Sequence, residues 1–255
     1  MTTQNLSKIF FPAMGIFLVV ALWHLYVVQF NVSTVVLPKP SLVLDSIVSQ
    51  RALLLSEGWI TFKECLYGFA LAMVLGIPIA VALTNSKILS LTFYPLLVGT
   101  QSIPKVAVAP IILVWLGTGL ESKLAVAFLV AFFPVVVDTA TGLRSTPPEL
   151  LDLARSLRAS KFQIFTKIQF PAALPFVFSG AKVAVTLAVI GGVIGEFVGS
   201  TEGLGNLLMV ANSQINSPLA WASLVALSVL GILLFAAVVL AERIFMPWAE
   251  ENRHG

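Results

Sequence analysis

Charge is what this chain has least of. Only 11% of its 255 residues are Asp, Glu, Lys or Arg, and 58% are hydrophobic. Soluble domains carry about a quarter charged residues. Mean hydropathy is +0.98. That balance argues against a soluble enzyme, and a net charge of +3 is too small for a nucleic-acid footprint. The single cysteine, Cys65, excludes an internal disulfide and reads as a small buried apolar residue. His24 and His254 with that cysteine make no metal cluster. No Gly-rich run ends in Gly-Lys-Ser/Thr, so nucleotide phosphates are not cradled by a P-loop of this chain. No Ser, His and acid set stands at suggestive positions, so no catalytic residues, metal ligands or bound cofactor are assigned. Alternating strands of about ten residues, the mark of a membrane barrel, are missing too. What is present is long, continuous apolar runs, and the expected class is all-α integral membrane with about six transmembrane helices.

Residues 9–28 form a run long enough to span. No small-x-small cleavage site follows it, so an uncleaved first span is preferred over a signal peptide. His24, between Trp23 and Tyr26, suits a snorkelling interfacial position. Residues 31–40 read as extended, and Ser41 is a candidate cap for an amphipathic helix through Leu55 on the outer surface. Further spans are expected at 59–84, 93–116, 122–141, 172–198 and 218–242. The second contains Gly68, Gly76 and Pro78, and small residues permit close helix contact. The third contains Pro95, Pro104 and Pro110 and is expected to be kinked or broken, facing protein or a watery cavity. Residues 85–87 and 117–119 read as tight turns, and 200–217 as a polar, Gly-rich outer segment. The organisation is thus a first span (1–30), an outer loop with a helix (31–57), a core (58–243) containing a central loop (144–170), and a charged tail (244–255).

Orientation follows from the basic residues. With both termini inside, Lys8, Lys87, Arg144, Arg155, Arg158, Lys161, Lys167, Arg243 and Arg253 fall on the inner side, against Lys39, Arg51 and Lys123 outside. This is the positive-inside pattern. Trp59, Trp115 and Trp221 then mark outer span ends and Trp248 the inner surface, as an aromatic belt would.

The one long segment that is both charged and patterned is 147–175, PPELLDLARSLRASKFQIFTKIQFPAALP. Two prolines open it, where Pro suits a helix start. Glu149 and Asp152 occupy the first turns, favoured by the helix dipole. Leu150, Leu153, Ala154 and Leu157 recur at the spacing of one helical face. A turn near Ala159 and Ser160 and a second short helix follow, with an apolar set of Phe162, Ile164, Phe165 and Ile168 before Pro171 and Pro175 break the pattern.

This segment resembles the EAA loop of permease subunits of type I ATP-binding-cassette importers, whose pattern is Glu-Ala-Ala, a Gly further on, and a closing Ile-x-x-Pro. Asp152-Leu153-Ala154 stands for the opening, Arg158 for the Gly, and 168–171 for the ending. Arg lacks the backbone freedom that Gly gives the turn. Further matches, in order, are 37–41, 102–104, 143–150, 171–175 and 202–205, and the likeness is greatest to the nitrate, taurine, sulfonate and thiamine-precursor branch. The resemblance implies a bacterial inner-membrane permease working as a homodimer. Two ATPase subunits, which bind ATP and Mg, would dock on the loops, and an extracytoplasmic solute-binding protein would deliver substrate. It places Glu149, Leu150, Asp152, Leu153, Ala154, Ser156, Leu157, Arg158 and Ala159 in the coupling surface. Gly203, Gly205 and Asn206 fall near the outer gate and the binding protein. Two blander readings stay open: an interfacial helix lying on lipid for 147–157, and a passive connector for 203–206.

Ionisable residues within spans need a reason, because insertion of each costs roughly 2.5–3.5 kcal/mol at a helix centre. Lys105, between Pro104 and Pro110 and following Ser102, is a candidate for the translocation path or for a buried ion pair. Lys182 is a path or snorkelling residue, and Glu196 a path residue or an anchor for the Gly-rich segment after it. Glu64 and Asp138 read as structural or solvated. The expected function is ATP-driven import of a small anionic solute, sulfonate-, taurine- or nitrate-like, with a thiamine-precursor pyrimidine or vitamin-like solute as the alternative. An ion-coupled secondary transporter using Glu196 or Asp138 is the rival from another class, and it lacks the internal repeat such proteins show.

Overall fold

The structure, a computed structural model, describes residues 3–247, with side chains from residue 10 onward. The tail expected at 244–255, with Trp248, Arg253 and His254, lies largely outside the described residues. Among those residues all regular structure is helical: α1 (Thr3–Gln29), α2 (Pro40–Ser49), α3 (Arg51–Asn85), α4 (Lys87–Thr100), α5 (Lys105–Leu116), α6 (Leu120–Arg144), α7 (Pro148–Ser156), α8 (Lys161–Ile164), α9 (Phe170–Gly199), α10 (Leu204–Ser213) and α11 (Ser217–Phe245). Five stretches are long and apolar enough to cross a membrane, and the bent pair α4 and α5 makes a sixth.

The helix α6 sits between α3 and α9 at the centre of the bundle. Close approach there needs glycine. A Cβ on Gly68 of α3 would lie 2.5 Å from Ala127 Cβ, and one on Gly191 of α9 would lie 2.7 Å from Ala127 Cα. Both neighbours therefore press on the same small residue of α6, the device by which membrane helices pack without a hydrophobic drive. A second layer joins α2, α3, α9, α10 and α11 through Val43, Leu54, Leu204, Leu207 and Leu230. In contrast, α1 touches the rest near one end, where Trp23 and Trp221 have ring centroids 5.1 Å apart.

Two expectations need correction and two are sharpened. The helix expected over 41–55 divides at Gln50, and its N-cap is Lys39 rather than Ser41, because Pro40 takes the first helical position. The third span, expected to be kinked or broken, is broken: α4 and α5 meet at 98°. Pro104 caps α5 in an extended conformation, which ends the helical path between them. The prolines at 171 and 175 do not stop the fifth span, which runs without interruption as Lys161–Gly199. A π-helical turn over Phe165–Gln169 precedes Pro171, and Phe170 N–H donates to Phe165 O, five residues back. The wider turn relaxes the crowding that a proline ring meets at the carbonyl four residues before it. Last, the polar, Gly-rich segment 200–217, to which no element was assigned, contains α10, whose Leu204, Gly205, Leu207 and Ala211 are buried.

Candidate functional site: a coupling loop, a broken span and a latched helix

The central loop and α10 lie at opposite ends of α9, whose 30 residues span about 45 Å at 1.5 Å per residue. At the first end, α7 starts on Pro147 and Pro148 with Glu149 in its first turn and Arg155 in its last. Its end is a Schellman closure: Ala159 N–H donates to Ala154 O at 3.0 Å and Arg158 N–H to Arg155 O at 2.9 Å. That closure requires a left-handed residue, and Arg158 supplies it at φ +58°. The position that carries Gly in the EAA pattern thus keeps the glycine conformation with an arginine in it. Ser160 and Gln163 then form a reciprocal capping box that starts α8.

The packing of α7 on the rest of the chain sorts the apolar face. Leu150, Leu153 and Leu157 stand 47%, 57% and 74% exposed, whereas Ala154 is 6% exposed. Ala154 was expected to share the docking face and instead turns into its own chain. Phe162, 75% exposed, adds to the exposed apolar surface of the loop. Asp152 and Arg155 pair at 2.9 Å on the exposed side, a contact worth about 0–1 kcal/mol in solvent. Ser156 returns its hydroxyl to Leu153 O at 2.7 Å, and Ala159 is half-buried beneath the turn.

In the broken span, Gln101, Ser102, Ile103 and Pro104 connect the two arms, and Ser102 and Pro104 are exposed. Lys105 is the first residue of α5, half-buried. Among the described residues it has no ion-pair partner. The partial positive charge of the α5 N-terminus and the ammonium group therefore stand together. Lys182 behaves otherwise: its ammonium meets Glu242 of α11 at 2.7 Å. It is a tie between α9 and α11 rather than a residue open to a path.

At the far end, α10 begins on Gly203, which has no side chain to cap it. Helix termini leave N–H groups without intrahelical partners, and three of these are taken by side chains from distant helices. Gly203 N–H donates to Glu57, Leu204 N–H to Thr61 Oγ1 at 2.8 Å, and Gly205 N–H to Glu196 Oε2. Thr61 in turn donates to Glu196 Oε1 at 2.6 Å. Glu196, 1% exposed, is an anchor of the Gly-rich segment, with both oxygens engaged. A Cβ on Gly205 would lie 2.6 Å from Glu196 Oε2 and one on Gly203 2.2 Å from Oε1, and Gly203 sits at φ +100°. Asn206 follows, half-buried. Beside this latch, Glu64 and Lys123 pair at 2.8 Å, both buried. Lys123 therefore leaves the set of surface charges, and only the absence of a charge run around it could have hinted at burial. Asp138 packs half-buried against Gly180.

The comparisons decide the family. Residues 72–250 match the family of binding-protein-dependent transport system inner membrane components. The chain belongs to this family. Among curated relatives, a probable ABC transporter permease of Haemophilus influenzae is 33% identical over 89% of this chain and 93% of its own length. The formylaminopyrimidine transport permease ThiX of Halalkalibacterium halodurans is 37% identical over 85% and 87%. The riboflavin transport system permease RibX of Chloroflexus aurantiacus is 32% identical over 96% and 94%. Among solved structures, a chain of the MetNI methionine ABC transporter in an inward-facing conformation aligns with TM-score 0.67 at 24% identity, covering 77% of this chain and 97% of that one. The protein is thus an ABC importer permease, multi-pass in the membrane, and its fold is that of the MetNI permease layer. Glu196, one proton carrier of the rival reading, has both carboxylate oxygens engaged in holding α10.

Proposed function

We propose that this permease forms the path through which an ATP-driven importer takes up a small anionic solute. In this reading both termini are cytoplasmic, α7 faces the cytoplasm and α10 the outside of a bacterial inner membrane. Two copies of the chain form the path, two ATPase subunits holding ATP and Mg dock on the two α7 loops, and an extracytoplasmic binding protein delivers solute over α10. The ATPases hydrolyse ATP, and the permease converts their closure into rocking of the helices. The observation that carries the coupling role is the row of exposed leucines, Leu150, Leu153 and Leu157, on a helix that turns only Ala154 into its own chain. An amphipathic helix of this kind fits a groove on a partner, read by anchors at helical spacing.

Leu153→Glu tests it. Leu153 is exposed in the chain itself, so the permease should accumulate normally. Loss of one buried leucine contact of about 1.5–3 kcal/mol should weaken ATPase co-purification by about tenfold or more. Unchanged co-purification and transport would reduce α7 to a helix lying on lipid.

For the solute, the support is Lys105 beside the α5 N-terminus, a cation with no ion-pair partner among the described residues, next to Ser102 and Pro104 in the break. Lys105→Met should lower uptake of an anionic solute while assembly and basal ATP hydrolysis persist. Uptake with unchanged affinity and rate would remove Lys105 from the path. The relatives named for formylaminopyrimidine and riboflavin favour a second reading, a vitamin-like heterocycle. The solute retained by the cognate binding protein separates the two.

A further inference from the structure

Between α3 and α11 runs a groove of about 520 Å³ that the transport reading leaves unused. Its walls are apolar, with Leu54, Trp59 and Phe62 on one side and Ala226, Val229 and Leu233 on the other. Trp59 and Phe62 stack with ring centroids 5.3 Å apart and form its flat flank. The one charged residue of the lining is Arg51, at the first position of α3. Arg51 has no ion-pair partner among the described residues.

The dimensions select an occupant. Along α3 the lining runs from Arg51 to Phe62, and along α11 from Ala222 to Leu233. Each stretch covers about 16 Å at the helical rise. Half of a hydrocarbon core of about 30 Å is about the same length. At about 520 Å³ over about 16 Å, the groove holds far less than the volume of a helix of that length and about 10–12 Å in diameter. An unpaired peptide strand is excluded as well, because these walls offer its N–H and C=O groups no partners. A single alkyl chain fits both length and volume. The cation at the mouth supplies what a phosphate needs, since guanidinium binds phosphate through paired donors.

We infer that the groove between α3 and α11 holds one acyl chain of an anionic phospholipid whose phosphate is bound by Arg51. The tail packs on Leu204, the first residue of α10, whose N–H is the one held by Thr61. The leaflet that supplies the lipid is the outer one if the orientation proposed above is right. The site itself needs α3 and α11 to span the membrane with Arg51 at headgroup depth, which sets Trp59, eight residues on, within the hydrocarbon rather than at the outer end of its span.

The test uses the permease co-purified with its ATPase and placed in nanodiscs of phosphatidylcholine with phosphatidylglycerol, with retained lipid read by native mass spectrometry. Wild type should retain phosphatidylglycerol in preference to phosphatidylcholine. Arg51→Gln should lower that preference about fivefold, the worth of one basic residue at a membrane surface. Ala226→Phe, which fills the groove from a half-buried position, should abolish retention of both lipids, whereas Leu91→Phe on a remote exposed face should not. Equal retention by wild type and Ala226→Phe would overturn the inference. So would a disulfide between two copies carrying Ala226→Cys, which would make the groove an interface between permease chains. ATPase co-purification in every variant keeps failure of the lipid site distinct from failure of the coupling reading.

Discussion

Arg158 offers a direct measure of what the central loop spends on its shape. An L-residue in the left-handed region is disfavoured by roughly 1–2 kcal/mol, and Arg158 sits there at φ +58°. Arg158→Gly removes that strain but adds about 0.5–1 kcal/mol of backbone entropy to the unfolded loop. The difference is a net stabilisation of about 0.5–1 kcal/mol, confined to the α7 closure. Hydrogen exchange reads it directly at the Arg158 and Ala159 amides, which donate to Arg155 and Ala154. Their exchange should slow about twofold to fivefold in the glycine variant, if opening is local. Arg158→Ala is the control that separates backbone from charge: it removes the guanidinium, keeps the strained φ, and should leave these amides within error of wild type. Arg158→Val should speed exchange, because a β-branched residue is a genuine outlier at positive φ. Equal exchange in the Gly and Ala variants would refute the strain argument and transfer the role of position 158 to its charge.

Two further outcomes follow from the latched end. Gly205→Val should impair transport with assembly retained, since its side chain would collide with Glu196 Oε2, 2.6 Å from the first added carbon; unchanged uptake would show that α10 is a connector. Lys123→Met leaves Glu64 buried without its ammonium partner, a loss of about 3–5 kcal/mol, and membrane levels of the permease should fall sharply. Adding Glu64→Gln should restore much of that level, and a single variant that accumulates like wild type would contradict the pairing.

The spans were legible because they rest on local chemistry: a continuous apolar run must be helical in a bilayer, whatever its neighbours do. A break or kink in the third span was legible from its three prolines, but its place was not: Pro95 and Pro110 stay inside α4 and α5, and only Pro104 ends the helical path. The central loop was visible in outline from its caps, prolines and leucine spacing. Its finer division was not, because Ala154 and Leu153 are adjacent in sequence and only the packing of α7 on the rest of the chain decides which of them faces out. The left-handed Arg158 was itself invisible, as nothing in the residue type announces it.

The helix α10 shows the boundary most clearly. By sequence its start has no side-chain cap, only Gly203, and the segment reads as polar and Gly-rich with no helix assigned. What makes it a helix is a set of acceptors brought from α3 and α9, namely Glu57, Thr61 and Glu196, of which the first two lie more than a hundred residues earlier in the chain. Likewise Lys123 looked like a surface charge, and Lys182 like a path or snorkelling residue, until packing set each beside an acid of another helix. By itself the sequence determined that this chain is a bundle of membrane helices with a charged loop at one end. Which charges are neutralised, which glycines are crowded and which leucines are free was decided by tertiary contacts, since pairing and crowding depend on distances between helices that no local pattern encodes.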